Sequence, residues 1–106
     1  MVSGPRVADN LDTATGLVAE AVAQGAELVV LPEYFPILGM TDSDKVKVRE
    51  PDGAGPIQQW LAESAARHQI WLIGGSIPLE ASTPDKVLNT SVAYGPDGAR
   101  VARYDK

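Results

Sequence analysis

Two uninterrupted apolar runs constrain this chain most, Leu28-Val29-Val30-Leu31 and Ile70-Trp71-Leu72-Ile73. Neither alternates with polar residues, so each reads as a strand covered on both faces, as parallel strands flanked by helices are. Each also follows a helical pattern. Ahead of the first, Leu11, Ala14, Leu17, Val18, Ala21 and Val22 form one stripe, with Asn10 as N-cap and Gly25 as stop signal. Ahead of the second, Pro56 suits a first helical turn. The face that follows is Ile57, Trp60, Leu61, Ser64 and Ala65, with Glu63 and Arg67 four apart on the wet side. Helix, strand, helix, strand predicts an α/β layer whose central strands are about 27 to 31 and 70 to 75. Residues 87 to 94 and 99 to 105 then flank Gly95-Pro96-Asp97-Gly98 as an antiparallel hairpin, which makes the sheet mixed.

The chain has 106 residues, enough for one small domain with a modest core. A net charge of -5 without a basic stretch argues against nucleic acid and anionic membrane as partners. There is no cysteine, hence no disulfide, thiolate metal site or thiol nucleophile within the chain. His68 is the only histidine, too few for a multi-histidine metal cluster, and no metal is expected. It falls near the last turn of the second helix, where an imidazolium suits the negative end of the helix. Neither apolar run approaches the length of a membrane span, and the N-terminus lacks a signal-peptide pattern, so a cytoplasmic location is expected.

Pro32 cannot continue a central ladder. Glu33 is therefore expected just past the carboxyl end of a buried strand, where open α/β sheets place their ligands. A solvated loop carboxylate is the competing reading. The stretch from 32 to 55, with Pro32, Pro36, Gly39, Pro51, Gly53 and Gly55, is long for a connection within a compact domain, and such loops are often functional. Gly74-Gly75-Ser76 after the second run fits either a close backbone approach or a simple turn. At the front only Met1-Val2-Ser3 stand ahead of Gly4-Pro5, short of the strand that normally leads into such a helix, and Tyr104-Asp105-Lys106 shows no cap or polar tail. Both ends read as parts of something longer.

The order of these pieces resembles the nitrilase superfamily, the carbon-nitrogen hydrolases. The matching residues are Met1 to Gly4 before Asn10-Leu11, Glu27 to Glu33 ending in Leu31-Pro32-Glu33, and Trp71 to Pro78 with Gly74-Gly75-Ser76. After them come Asn89-Thr90-Ser91 ahead of Gly95 to Gly98, and Tyr104-Asp105-Lys106. The resemblance implies the N-terminal portion of an α-β-β-α sandwich, two helices packed on a mixed sheet. Residues 1 to 106 would be a partial domain lacking most of the first strand and everything after the lysine.

It also implies a catalytic set of glutamate, lysine and cysteine. Glu33 matches the glutamate and Lys106 the lysine; the cysteine belongs to a segment beyond this sequence. A thiolate would attack an amide carbon, with Glu33 as general base and Lys106 stabilising the tetrahedral intermediate, and ammonia would leave. No cofactor is implied. Because base and cation must reach one carbonyl carbon, Glu33 and Lys106 are expected at the same rim of the sheet. Without a cysteine, and with no serine in a Gly-x-Ser-x-Gly elbow, the chain alone is expected to be inactive. Tyr34, next to the base, either binds substrate or merely packs. The wording looks most like the small ω-amide hydrolases, including those acting on deaminated glutathione, with true nitrilases and N-carbamoyl hydrolases still open. The expected partners are a small amide and further copies of the chain in a homo-oligomer. The competing functional reading is a non-catalytic nitrilase-like module that serves as an association partner.

Overall fold

Helix α1 (Val7–Ala23), strand β1 (Leu28–Val30), helix α2 (Pro56–His68) and strands β2 (Trp71–Glu80), β3 (Val87–Tyr94) and β4 (Arg100–Asp105) follow one another along the chain. The structure, a computed structural model, describes residues 6–36, 46–83 and 86–106. Met1-Val2-Ser3, expected as the remainder of a leading strand, and residues 37–45 of the stretch expected as a long loop lie outside the described residues. The sheet order is β1-β2-β3-β4, with β1 parallel to β2 and the other two pairs antiparallel. β1, β2 and β4 therefore all run the same way.

Two helices pack on this mixed sheet, as expected. Ala14 and Val18 of α1 and Ile57, Leu61 and Ala65 of α2 are buried with Leu72, Ile77 and Leu79 of β2 and Val92 and Tyr94 of β3. Full burial of each large aliphatic side chain is worth about 1.5–3 kcal/mol, so this layer dominates stability. Pro56 does open α2, and Gly25, at φ 95°, follows the end of α1 in the left-handed region open to glycine.

Three expectations are corrected. The apolar runs are not covered on both faces: Leu28, Val30 and Trp71 are 55%, 61% and 49% exposed, whereas Leu72 is fully buried. Both helices lie on one side, and side chains alternate along a strand, so every second residue of each run meets solvent. Among the described residues β1 is an edge strand rather than a central one. Asn10 is not the N-cap of α1, which begins after Arg6. Asn10 lies inside the helix, buried, and its Nδ2 donates to the carbonyl of Pro36 at 2.7 Å, tying α1 to the loop after β1.

Glu50 clamps the start of α2 to the end of β2. It is 3% exposed, and its carboxylate accepts from the backbone N–H groups of Ile57 (2.5 Å) and Gln58 (3.0 Å) and from Gln58 Nε2 (3.1 Å). These acceptors meet the first free N–H groups of the helix. Its own N–H donates to Pro78 O, and its carbonyl accepts from Glu80 N–H. Gly55 takes φ 124° directly against this carboxylate, where a side chain would collide.

At the β4 edge of the sheet Asp52 pairs with both Arg100 and Arg103, and Arg103 also pairs with Asp105. The hydrogen bond from Arg100 lowers the Asp52 carboxyl below the ordinary range, and that from Arg103, helped by Thr90, does the same to Asp105. A depressed folded-state value stabilises the fold above the unfolded value and loses that contribution as pH falls through the folded one. The melting temperature of wild type is therefore expected to exceed that of Asp52→Asn near neutrality, with the gap closing below roughly pH 4. A gap that persists unchanged at pH 2 in thermal melts would refute the pairing.

Candidate active site

The site begins where β1 stops. Leu31 N–H donates to Ile73 O at 2.8 Å, carrying the parallel ladder one residue further, and Pro32 then has no N–H with which to continue it. The chain turns at once, closed by Phe35 N–H to Pro32 O at 3.2 Å, with Tyr34 at φ 51°, an uncommon conformation outside glycine. Phe35 is completely buried, and its ring centroid lies 5.7 Å from that of Trp60 on α2. Trp60 donates its indole N–H to Thr15 Oγ1 on α1 at 2.9 Å, so the turn is anchored in the two-helix layer. Glu33, two residues ahead of that anchor, keeps a side chain that is 75% exposed.

Gly75 makes room for the turn. A Cβ there would run into the carbonyl oxygens of Leu31 and Pro32 and the carbonyl carbon of Pro32. Of the two readings of the glycine pair, close backbone approach is the one observed. The strand does not end there but continues to Glu80, with a register shift between Gly74 and Ile77. Such a bulge re-aims the side chains within it.

Lys106 arrives from the other side. Its backbone N–H donates to Asn89 O at 2.8 Å, which extends the β3–β4 pairing one residue past Asp105, and Thr90 Oγ1 donates to Asp105 Oδ1 at 2.9 Å. Because β4 runs parallel to β1, the residues after both strands reach the same end of the sheet. There Lys106 Nζ lies 3.3 Å from Glu33 Oε1 and 3.0 Å from Ser76 Oγ. The structure thus brings together the carboxylate and the cation that the sequence placed at one rim. Tyr34 follows Glu33 in the same turn, half-buried.

Solvent-exposed pairs of this kind are worth only about 0–1 kcal/mol, so Glu33 and Lys106 contribute little to holding the fold. What they offer is chemical: a carboxylate able to take a proton beside an ammonium. Two of the three ammonium N–H groups are engaged among the described residues, and the third is left to donate to an oxygen that gains negative charge. No group of three His, Cys, Asp or Glu side chains gathers as a metal site among the described residues. Pro32 also borders an apolar cleft of about 410 Å³ between α1 and β1, lined by Leu17, Val18, Val29, Val30 and Leu31. A second cleft, about 450 Å³ beside Arg100 and the start of α2, includes neither Glu33 nor Lys106.

Sequence reasoning missed two contributors. Ser76 stood in the glycine motif without a role, because only the bulge turns it toward the lysine. Glu50, buried at the head of α2, precedes that helix by too many residues to carry a capping-box spacing.

Comparison with known proteins identifies the family. The carbon-nitrogen hydrolase family is matched over residues 4–106. The chain is 36% identical over 107 residues to the deaminated glutathione amidase of Synechocystis sp. (strain PCC 6803 / GT-S), covering 100% of this chain and 39% of that protein. It is 41% identical over 102 residues to the omega-amidase NIT2 of Mus musculus, covering 92% of this chain and 34% of the relative. Its backbone superposes on Saccharomyces cerevisiae Nit3, a member of the nitrilase superfamily, with a TM-score of 0.86 at 29% identity, over 98% of this chain and 40% of that one. The chain spans between a third and two fifths of the length of these relatives. The match runs over nearly the whole chain, and the chain belongs to the carbon-nitrogen hydrolase family of the nitrilase superfamily.

Proposed function

We propose that this chain supplies the general base and the oxyanion-stabilising cation of an amidase acting on a small ω-amide. The observation that carries the reading is the 3.3 Å approach of Lys106 Nζ to Glu33 Oε1 at one end of the sheet, from residues 73 positions apart. Two relatives carry amidase names, a deaminated glutathione amidase and an omega-amidase, which support a small amide as substrate.

The chemistry follows from the residues. A cysteine thiol, contributed by sequence outside this chain, gives its proton to the Glu33 carboxylate and attacks the amide carbon. The carbonyl π pair moves onto oxygen, and Lys106 stabilises that oxyanion through its free N–H. Collapse of the tetrahedral species breaks the C–N bond, and Glu33 returns its proton to the departing nitrogen, which leaves as ammonia. Water then attacks the thioester, its proton passing to Glu33. The second tetrahedral species expels the sulfur, which recovers a proton, and the carboxylic acid is released.

Ammonia release tests the proposal. The 106-residue chain is expected to release none above background from a glutamine-like ω-amide, while the chain continued through its nucleophile releases it steadily. Turnover by the short chain, or none by the longer one across a panel of ω-amides, would overturn it.

A further inference from the structure

We infer that Ser76 is a positioning residue for Lys106, holding the ammonium where it meets the developing oxyanion. This rests on the amidase reading above. Three observations carry it. The Ser76 side chain belongs to a residue only 1% exposed, yet its Oγ lies 3.0 Å from Lys106 Nζ, closer than the Glu33 oxygen at 3.3 Å. It sits within the register shift of β2 between Gly74 and Ile77, where an uninterrupted ladder would set its side chain differently. The bulge is itself held, because Ser91 Oγ donates to Gly74 O at 3.1 Å and the Leu31–Pro32 backbone lies against Gly75.

A lysine side chain carries four rotatable carbons and loses substantial entropy when fixed in one place. Glu33 is a poor sole anchor. It is exposed, and in the proposed cycle it gains and loses a proton, so its hold on the ammonium weakens whenever it is protonated. The serine hydroxyl is neutral and buried throughout. It accepts from one ammonium N–H in every stage of the cycle, while Glu33 is free to change its protonation. Division of labour follows: the buried hydroxyl fixes the position of the cation, the carboxylate moves protons, and the third N–H of the ammonium is left for substrate oxygen.

Two measurements test this. In the 106-residue chain with labelled lysine, Ser76→Ala is expected to remove the contact between the Lys106 ε-methylene and residue 76. It also lowers the NMR order parameter of that methylene, with the thermal midpoint nearly unchanged. In the catalytically complete enzyme the same variant is expected to lower kcat about tenfold at unchanged KM, with little further loss when combined with Lys106→Met, since residues acting as a unit are not additive. Full activity surviving Lys106→Met would overturn both the amidase reading and this inference. If Lys106→Met cuts turnover to a small but measurable remainder while Ser76→Ala retains full kcat or an equally ordered Lys106, the inference alone falls and the amidase reading stands. Should Ser76→Ala lose stability, the double-variant comparison decides: full additivity with Lys106→Met overturns the inference, and non-additivity supports it.

Discussion

Glu33→Gln in the enzyme completed by its nucleophile is expected to lose roughly 10²–10⁴-fold in kcat, the usual contribution of a positioned base. The amide keeps the size and shape of the carboxylate and still offers an oxygen to Lys106, but it takes no proton from a thiol or a water. KM should move little, because the change removes an interaction made with the reacting proton and not with the ground-state amide. Stability should change by less than about 1 kcal/mol, since the Glu33 side chain is 75% exposed and exposed ion pairs contribute little. Steady-state ammonia assays beside thermal melts separate the two effects. A variant that keeps a tenth or more of wild-type kcat would remove Glu33 from its role, whatever the melt shows.

The opposite pattern is expected at Glu50, where stability collapses and chemistry is not touched directly. Glu50→Ala strips the acceptors from the N–H groups of Ile57 and Gln58 at the buried head of α2. Each buried donor left without a partner costs about 1–3 kcal/mol, giving a loss of roughly 2–6 kcal/mol for the pair. In a domain of this size that is a fall of roughly 10–20 °C or more in melting temperature. Gln58 Nε2 retains the carbonyls of Pro51 and Ala54, so the side-chain amide is not orphaned and is left out of that sum. Calorimetry or circular dichroism reads the outcome, and a shift under about 3 °C would show that solvent replaces the carboxylate freely. The Gly55 backbone lies directly on the lost side chain, so the 51–55 loop is expected to loosen with it.

These two glutamates show what the sequence makes legible and what it conceals. The helices, the strand after each helix and the final hairpin follow from apolar spacing and from Pro56, Gly25 and Gly95 to Gly98, which act over a few residues and survive any tertiary context. Glu33 is legible because Pro32 ends a strand immediately before it. Glu50 is not, because its partners lie seven and eight residues on and across a loop, and only tertiary closure brings them together. The exposure of Leu28, Val30 and Trp71 is hidden for a related reason: an apolar run records that a strand avoids water without recording which layer covers which face. Asn10 shows the same limit at a single residue. Its position before an apolar stripe fits a cap, but a partner 26 residues away, the Pro36 carbonyl, decides its place inside the helix. Likewise the Gly-Gly-Ser motif announces permissive backbone, while its geometry depends on Leu31 and Pro32 crossing over it.

The two tryptophans stand on different sides of the sheet, and this gives the chain two separate optical reporters. Trp60 is half-buried, tilted 40° to the Phe35 ring and tied to Thr15, so its emission follows the integrity of the helical layer and the turn that carries Glu33. Trp71 lies beside Leu28 on the uncovered face, 49% exposed, with Gly95 close to its ring. A quencher dissolved in water reaches Trp71 more readily than the half-buried Trp60. Any surface that comes to rest on the open face would darken that access and shift Trp71 toward the blue, while leaving the signal of Trp60 where it was.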